Sequence, residues 1–383
     1  MSEPAEKFRV FRLGDPSTPP RRVTDLRDGA LRFEGPRSVR AAWRLLIDAL
    51  PPRCKGDVLV ARDPAGVLAL AARALWADVG VSSHQFDAWE AGIAERALEV
   101  NDVGDVELAL VPDLPTGPFA LVAIPFPARA EALLGRELIE QAHDALEEGG
   151  RFLASTDGSP KWLRKVVKEV FGRADLQTSR KDGAVVVARR VRPDARRRDH
   201  DHVISVPRGE RMLSLRTRPG VFSPGRLDGG AKALLSGFAA ERGERVLDIG
   251  CGIGVLGLAA ALDAGPDGVV LLDSSARAVA TARENAIAND LESVDVCLRA
   301  DLEDIPGGPF DRVVANPPYY SEGRIADAFA RAAARELADH GVLHMVAKAV
   351  SMHREILGRS FARVDVKMIR DYGIFTARSP RRP

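Results

Sequence analysis

Three cysteines in 383 residues, Cys54, Cys251 and Cys297, are too few and too widely spaced for a disulfide framework or a zinc site. The seven histidines show no metal-ligand spacing, and His200 and His202 fall in a polar stretch where solvation is expected. There is no run of 18 apolar residues, so nothing reads as a membrane-spanning helix, and Met1-Ser2-Glu3-Pro4-Ala5-Glu6-Lys7 is not a signal peptide. The chain is accordingly expected to be soluble and cytoplasmic, with neither a metal nor a membrane partner. An excess of one charge sign is missing as well. The 55 basic and 54 acidic residues leave a net charge of +1, so no global field recruits nucleic acid, and any RNA affinity must come from local patches. The length, by contrast, is sufficient for two domains with separate cores.

What is present is chemically specific. Asn316-Pro317-Pro318-Tyr319 follows the apolar run Phe310-Asp311-Arg312-Val313-Val314-Ala315 and so stands at a strand end. Such a turn suits a planar amine on a flat ring. The Asn316 side-chain oxygen and the Pro317 carbonyl can each accept one N–H, Pro318 stiffens the turn, and Tyr319 offers a face for stacking. Two acceptors on one NH2 draw its lone pair out of conjugation and make the nitrogen a better nucleophile.

About 70 residues upstream, Arg245-Val246-Leu247-Asp248-Ile249-Gly250-Cys251-Gly252-Ile253-Gly254-Val255-Leu256-Gly257 reads as a buried strand, a glycine loop and a helix. Glycines at 250, 252 and 254 let backbone approach a ligand, whereas Cys251 reads as a small filler. The stretch 252–257 also satisfies the dinucleotide pattern GxGxxG. Asp248 separates the two readings, because a carboxylate before the first glycine repels a pyrophosphate and attracts the ammonium of a methionine moiety. The next strand ends in Asp273, placed to accept from ribose hydroxyls, and a third, Val294 to Ala300, delivers Asp301 where an adenine amine could be read. Acids at three successive strand ends favour S-adenosylmethionine over NAD.

The order of elements predicts an α/β fold. Strand 245–250, helix 253–263, strand 268–273, helix 276–289, strands 294–300 and 309–316, helix 324–338 and strand 341–347 alternate as in a doubly wound sheet. Strands 363–370 and 373–378 follow, joined by Asp371-Tyr372. The ligand is expected outside the carboxyl ends of the strands.

The chain also repeats itself. Asp57 to Ala72 aligns without gaps with Arg245 to Ala260, sharing Gly-Val-Leu-x-Leu-Ala-Ala at an offset of 188. Pro118-Phe119 matches Pro309-Phe310 at 191, and Gly183 matches Gly373 at 190. The near-constant offset indicates a tandem duplication, two Rossmann-like domains in one chain. Expected boundaries are 1–190 for the first, 191–202 for a basic linker and 203–383 for the second. The copies differ where chemistry needs agreement: Asp248 aligns with Val60, Gly250 with Arg62, Gly252 with Pro64 and Asn316 with Pro125. Asp87 reads as a relic of the second strand's acid. The first domain is therefore expected to be catalytically dead, serving support and substrate docking, with a different live cofactor site as the alternative. In the linker, Arg196, Arg197 and Arg198 are candidates for phosphate contact with RNA, against the alternative of simple solvation. Arg21, Arg22, Arg37, Arg40 and Arg44 form a second candidate patch.

Arg218-Pro219-Gly220-Val221-Phe222-Ser223, followed by Arg226-Leu227-Asp228-Gly229-Gly230, resembles the segment before the glycine loop in ribosomal-RNA guanine-N2 methyltransferases of the RsmC and RlmG kind. Those proteins join a degenerate methyltransferase domain to an active one and carry Asn-Pro-Pro-Phe or a close variant. The specific motifs lie between 218 and 320. The resemblance implies class I methyltransferase domains and transfer from S-adenosylmethionine to the N2 amine of a guanine in ribosomal RNA. Asp248, Gly250, Gly252, Asp273, Asp301 and Asn316 would border the cofactor. Asn316, Pro317, Pro318 and Tyr319 would grip the base, and Phe222 with Asp228 would line the pocket. Tyr319-Tyr320 departs from the family's Phe-His, and Ala231-Lys232 stands where a small hydroxylated residue is usual. The expected partner is ribosomal RNA or a ribosomal subunit, and the expected state is a monomer. Rival readings are an N6-adenine methyltransferase on RNA or DNA, a glutamine-amide methyltransferase, a non-catalytic ribosome-assembly factor and a dehydrogenase.

Overall fold

The computed structural model describes residues 8–12, 30–34, 40–193, 197–318 and 323–381. The chain divides into two compact units, Met1–His200 and Asp201–Pro383.

In the first unit, β1 (Phe8–Arg12) and β2 (Ala30–Glu34) pair antiparallel as a separate ribbon. There follow α1 (Ala41–Ala49), β3 (Val58–Ala61), α2 (Val67–Leu75), β4 (Val81–Gln85), α3 (Ala88–Val100), β5 (Val106–Leu110), β6 (Phe119–Pro125), α4 (Ala132–Ala145), β7 (Leu146–Thr156), α5 (Lys161–Phe171), β8 (Asp175–Arg180) and β9 (Gly183–Arg189). The second unit opens with a hairpin, β10 (His202–Arg208) and β11 (Arg211–Thr217). Then come α6 (Gly229–Gly237), β12 (Val246–Ile249), α7 (Val255–Ala264), β13 (Val269–Asp273), α8 (Ala276–Ile287), β14 (Asp295–Leu298), β15 (Phe310–Ala315), α9 (Arg324–Glu336), β16 (Leu337–Ala347), α10 (Val350–Ser360), β17 (Phe361–Ile369) and β18 (Tyr372–Pro380).

Each unit carries a seven-stranded sheet, and the two orders are the same: β5-β4-β3-β6-β7-β9-β8 and β14-β13-β12-β15-β16-β18-β17. In each, five strands run parallel and the last two close the edge antiparallel. Register agrees as well: Val58 pairs with Val81 and Leu121, and Val246 pairs with Val269 and Arg312. The duplication and the doubly wound class expected from the sequence are both borne out.

The parallel strands are near-continuous apolar runs because both faces are covered by helices. In the second unit alternate residues feed two cores. Val246 and Val314 join the cluster under α7 and α8, whereas Leu247, Ile249, Val313 and Ala315 join that under α9 and α10. The period of two therefore turns Asp248 toward the α7 face, where an acid can meet a helix start. In each unit the helix after the central strand begins behind a left-handed glycine, Gly66 (φ 69°) before α2 and Gly254 (φ 86°) before α7. Crowding adds to the constraint at 254, where a Cβ would lie 3.0 Å from the Leu271 side chain.

Three elements of the second unit were not anticipated: the β10–β11 hairpin, α6 and α10. The hairpin exposes most of its residues and buries mainly Val206, Leu213 and Leu215. Helix α6 begins with two glycines and depends on its Asp228 cap. The last turn also differs from expectation, since Tyr372 already pairs with Ile369 and the chain reverses at Arg370 (φ 53°) and Asp371.

Described residues of the segment expected as a basic linker are held to the first unit. Arg197 pairs with Asp144, Arg198 lies 3.5 Å from Glu169, and its backbone N–H donates to Glu140 at 3.3 Å. His200 is buried rather than solvated, with Nε2 3.0 Å from the equally buried Glu140, which also accepts from Arg136 at 2.8 Å. A carboxylate already inside the unit recruits the imidazole, which polarity along the chain could not reveal. His202 lies in β10 and is exposed. Among the described residues no helix is long and apolar enough to cross a membrane, no group of residues could hold a metal ion, and the three cysteines are free.

Candidate functional site

The site is assembled at the carboxyl ends of adjacent strands β13, β12 and β15. Gly250 and Cys251 donate their N–H groups to the Leu272 carbonyl at 2.8 and 3.0 Å, which ties the glycine loop to the end of β13. Asp273 fixes the same loop from its side chain. Its Oδ2 accepts from Gly252 N and its Oδ1 from Ser275 N, both at 2.9 Å. A carboxylate has about four acceptor positions, so one such group can hold a loop and serve ligand hydroxyls together. Gly250 takes φ 73° with the Phe329 ring 3.0 Å from where a Cβ would stand. Gly252, at φ 56°, faces open space.

Asp248 lies beneath this loop and is 1% exposed. Its Oδ2 accepts from Gly257 N at 2.8 Å, capping the first turn of α7, while its buried Oδ1 has no hydrogen-bond partner. Burial, helped by the nearby Asp273 charge and opposed by the Gly257 N–H, pushes its carboxyl up to about 7. Burial together with Asp273 and Asp248 also raises the Cys251 thiol, which keeps it protonated and unreactive, as a filler should be. Asp301 sits apart, past the end of β14. It is exposed and accepts from Arg299 at 2.9 Å and from Glu303 N at 3.2 Å. Partial burial works to raise its carboxyl, but the Arg299 and Glu303 donors outweigh that and hold it below its ordinary value.

At the end of β15, Asn316 donates from Nδ2 to Asp228 Oδ2 at 2.9 Å. Asp228 is the cap of α6, and the same oxygen accepts from Ala231 N at 3.0 Å. One of the two N–H donors of the carboxamide is thus committed to Asp228. Pro317 is buried and Pro318 half-buried behind it. Tyr319 and Arg196 lie outside the described residues, as do Arg21, Arg22 and Arg37. Phe222 is 57% exposed on the segment before α6.

Two supports of the site were not recognised in the sequence. Arg277, 1% exposed, donates to the Pro219 carbonyl at 2.6 Å and fastens the segment 218–222 to α8. Asn285, also buried, donates to the Ile253 carbonyl at 2.9 Å and exchanges bonds with the backbone of Arg216. It pins the glycine loop to the β11 strand. Both sit in a helix whose pattern signalled only amphipathicity. An arginine or asparagine on an apolar face was the available clue.

The first unit shows what the same framework does with other side chains. Register places Gln85, not Asp87, at the position that corresponds to Asp273, because Ala61 pairs with His84 as Ile249 pairs with Leu272. Asp87 is instead the cap of α3, accepting from Trp89 N and Glu90 N, as Ser275 caps α8. The reading of Asp87 as a relic of the ribose acid is therefore corrected. Asp63 has taken over the helix-facing role of Asp248: it is fully buried and its Oδ2 accepts from Leu68 N and Ala69 N at 2.7 and 3.0 Å. Arg62 stands where Gly250 stands, in the same left-handed region at φ 57°, and burial lowers its guanidinium's pKa.

Comparison with known proteins places this geometry. The methyltransferase small domain family matches residues 212–375. The matched residues lie within the second unit. Ribosomal RNA small subunit methyltransferase C from Klebsiella pneumoniae is 36% identical over 153 residues, 39% of this chain and 44% of that protein, and the Salmonella choleraesuis protein matches to the same extent. The match thus spans less than half the length of these curated relatives. Among solved structures, the T. thermophilus 16S rRNA N2 G1207 methyltransferase (RsmC), in complex with AdoMet and guanosine, superposes with a TM-score of 0.74 at 22% identity. That alignment covers 97% of this chain and 98% of the other, so the tandem fold is shared throughout. The RsmC/RlmG-like kinship read from residues 218–320 is borne out.

Proposed function

We propose that the protein is an S-adenosylmethionine-dependent methyltransferase that modifies the exocyclic N2 amine of a guanine in ribosomal RNA. The observation that carries this reading is the placement of two different tools at neighbouring strand ends. An acid-lined glycine loop closes β12, and a pre-oriented Asn316-Pro317-Pro318 closes β15 beside it.

The residues fit the cofactor. Asp248 offers a buried, unpartnered carboxylate oxygen under the loop, suited to a cation. Gly252 has no neighbour within 4 Å of a Cβ position, so backbone can lie against a ligand there. Asp273 supplies acceptor oxygens for ribose hydroxyls, and Asp301 is an ionised acceptor farther out. A dinucleotide pyrophosphate is disfavoured by the same pair of acids. When bound, S-adenosylmethionine supplies an electrophilic methyl group on a sulfonium.

The chain's own residues do the rest by positioning. With Nδ2 held by Asp228, the Asn316 carboxamide is oriented so that its carbonyl oxygen accepts from the target amine. The Pro317 carbonyl is the second acceptor, and both rings stiffen the turn, so little is reorganised on reaction. Tyr319 offers the stacking face. The guanine has to leave its stack to enter, at a cost of about a few kcal/mol. No general base is required if the proton departs after the nitrogen has become cationic.

The first unit serves as a non-catalytic partner domain, with Arg62 and Asp63 occupying the counterpart of the glycine loop. Arg197 and Arg198 are tied to acids of the first unit, and as phosphate contacts they would have to exchange those partners. The protein acts on ribosomal RNA or a subunit in the cytoplasm as a monomer. Nucleoside mass spectrometry of ribosomal RNA, separated by subunit, from cells with and without the gene tests the reading. Loss of N2-methylguanosine from one subunit is expected. Loss of N6-methyladenosine, or an unchanged set of nucleosides, would overturn it.

A further inference from the structure

The bond between Asp228 and Asn316 has a consequence for which base is accepted. Both donors that reach Asp228, Asn316 Nδ2 and Ala231 N, use the same oxygen, Oδ2, at 2.9 and 3.0 Å. Oδ1 has no hydrogen bond among the described residues, and the side chain is half-buried at the start of α6 rather than sealed in the core. Asn316 donates one of its two amide N–H groups to Oδ2, which orients the carboxamide. That 2.9 Å bond joins a neutral acceptor group, the Asn316 carboxamide, to an anionic one, the Asp228 carboxylate.

Resting on the function proposed above, we propose that Asp228 sets the base specificity by accepting the N1–H of guanine while Asn316 accepts the adjacent N2 amine. Guanine alone among the amine-bearing bases carries two contiguous donors, N1–H and N2–H, on its pairing edge. Adenine and cytosine each place a bare ring nitrogen, an acceptor, next to the amine. That lone pair would face the Asp228 carboxylate, leaving a desolvated charge unpaired and repelled. The Asn-Pro-Pro turn by itself holds any planar amine, so the discrimination falls to the carboxylate beside it.

Asp228→Asn is the informative substitution. Asparagine caps a helix about as well as aspartate. Its carbonyl oxygen can still accept from Asn316 and Ala231, while its NH2 group replaces the second acceptor with a donor. Methylation of ribosomal RNA taken from cells lacking the gene is measured in the presence of competing guanosine, inosine, 2-aminopurine riboside and adenosine. Inosine keeps N1–H without the amine; 2-aminopurine riboside keeps the amine without N1–H. With the native protein, guanosine and inosine should inhibit at least about tenfold more strongly than 2-aminopurine riboside and adenosine, the discrimination typical of one charge-assisted hydrogen bond. With Asp228→Asn the gap should close or reverse, at unchanged cofactor affinity and melting temperature. Equal potency of the four nucleosides on the native protein, including inhibition by none, overturns the assignment, as does a gap that survives in the variant. Failure of the native protein to methylate guanine at all would count against the proposed function instead.

Discussion

Asp248 is held in conflict with its own charge, and Asp248→Asn should expose that conflict as a pH-dependent gain in stability accompanied by loss of cofactor binding. The carboxyl rises from 3.8 to about 7 because it is buried and has one hydrogen bond for two oxygens. Below about pH 3 the group is largely protonated in the folded and unfolded chains alike and makes little difference. As pH rises from 4 to 7 the unfolded carboxyl ionises while the buried one resists, so the folded state binds more protons and its stability falls. Above pH 7 the penalty is constant. At about 1.4 kcal/mol for each pH unit of that window, ionised Asp248 costs the fold on the order of 4 kcal/mol. Asparagine keeps an oxygen for Gly257 N but buries a new NH2 donor, which costs about 1–3 kcal/mol at every pH. The variant should therefore be less stable than the native protein by about 1–3 kcal/mol at pH 4 and more stable by a similar amount at pH 8. The assay is urea unfolding of the full chain from pH 4 to 8. All four tryptophans, 43, 76, 89 and 162, belong to the first unit, so their fluorescence follows that unit and circular dichroism adds the second. The change should be confined to the transition that tryptophan does not report. A difference between variant and native protein that stays flat through pH 4–7 would refute the assignment of a charged, strained Asp248. S-adenosylmethionine binding should weaken by at least about tenfold in the variant at pH 8, equivalent to about 1.4 kcal/mol.

Asn316→Ala should abolish methyl transfer while leaving cofactor affinity, measured by calorimetry, nearly intact; collapse of that affinity would make Asn316 a cofactor ligand instead. Gly250→Ala should lower stability by about 1–2 kcal/mol, because the residue is left-handed and its Cβ meets the Phe329 ring at 3.0 Å. A melting temperature equal to the native value would contradict that contact. Asn285→Ala removes a buried amide that serves the backbones of Ile253 and Arg216 and should cost about 3 kcal/mol, with faster hydrogen exchange in the glycine loop. Unchanged exchange there would show that the loop holds itself.

Much of the site could be read along the chain because its parts are local. A strand, three glycines and a helix are contiguous, and an acid at each strand end follows from the same short-range pattern. Asn316-Pro317-Pro318 is likewise one turn. The repeat was legible because both copies keep the apolar core positions that their shared sheet requires. Asp87 shows the limit of that reading. Two residues past the end of β4, it serves as a helix cap, and only strand register, with Gln85 as the counterpart of Asp273, separates the two roles. His200 misled in the same way and Arg277 went unrecognised, since a polar residue in a polar stretch or an amphipathic helix carries no sign of the buried partner waiting for it.

The sequence by itself therefore determined the fold, the duplication and the two motifs, because periodicity, glycine conformation and proline turns act over a few residues. Tertiary structure decided which polar groups face one another. Asp228 and Asn316 are 88 residues apart and meet only because α6 starts beside the end of β15. Asp248 becomes a strained acid only once α7 and the second unit's core exclude water from it. Hydrogen-bond pairing and burial are properties of the packed chain, and they turn a legible motif into an oriented site.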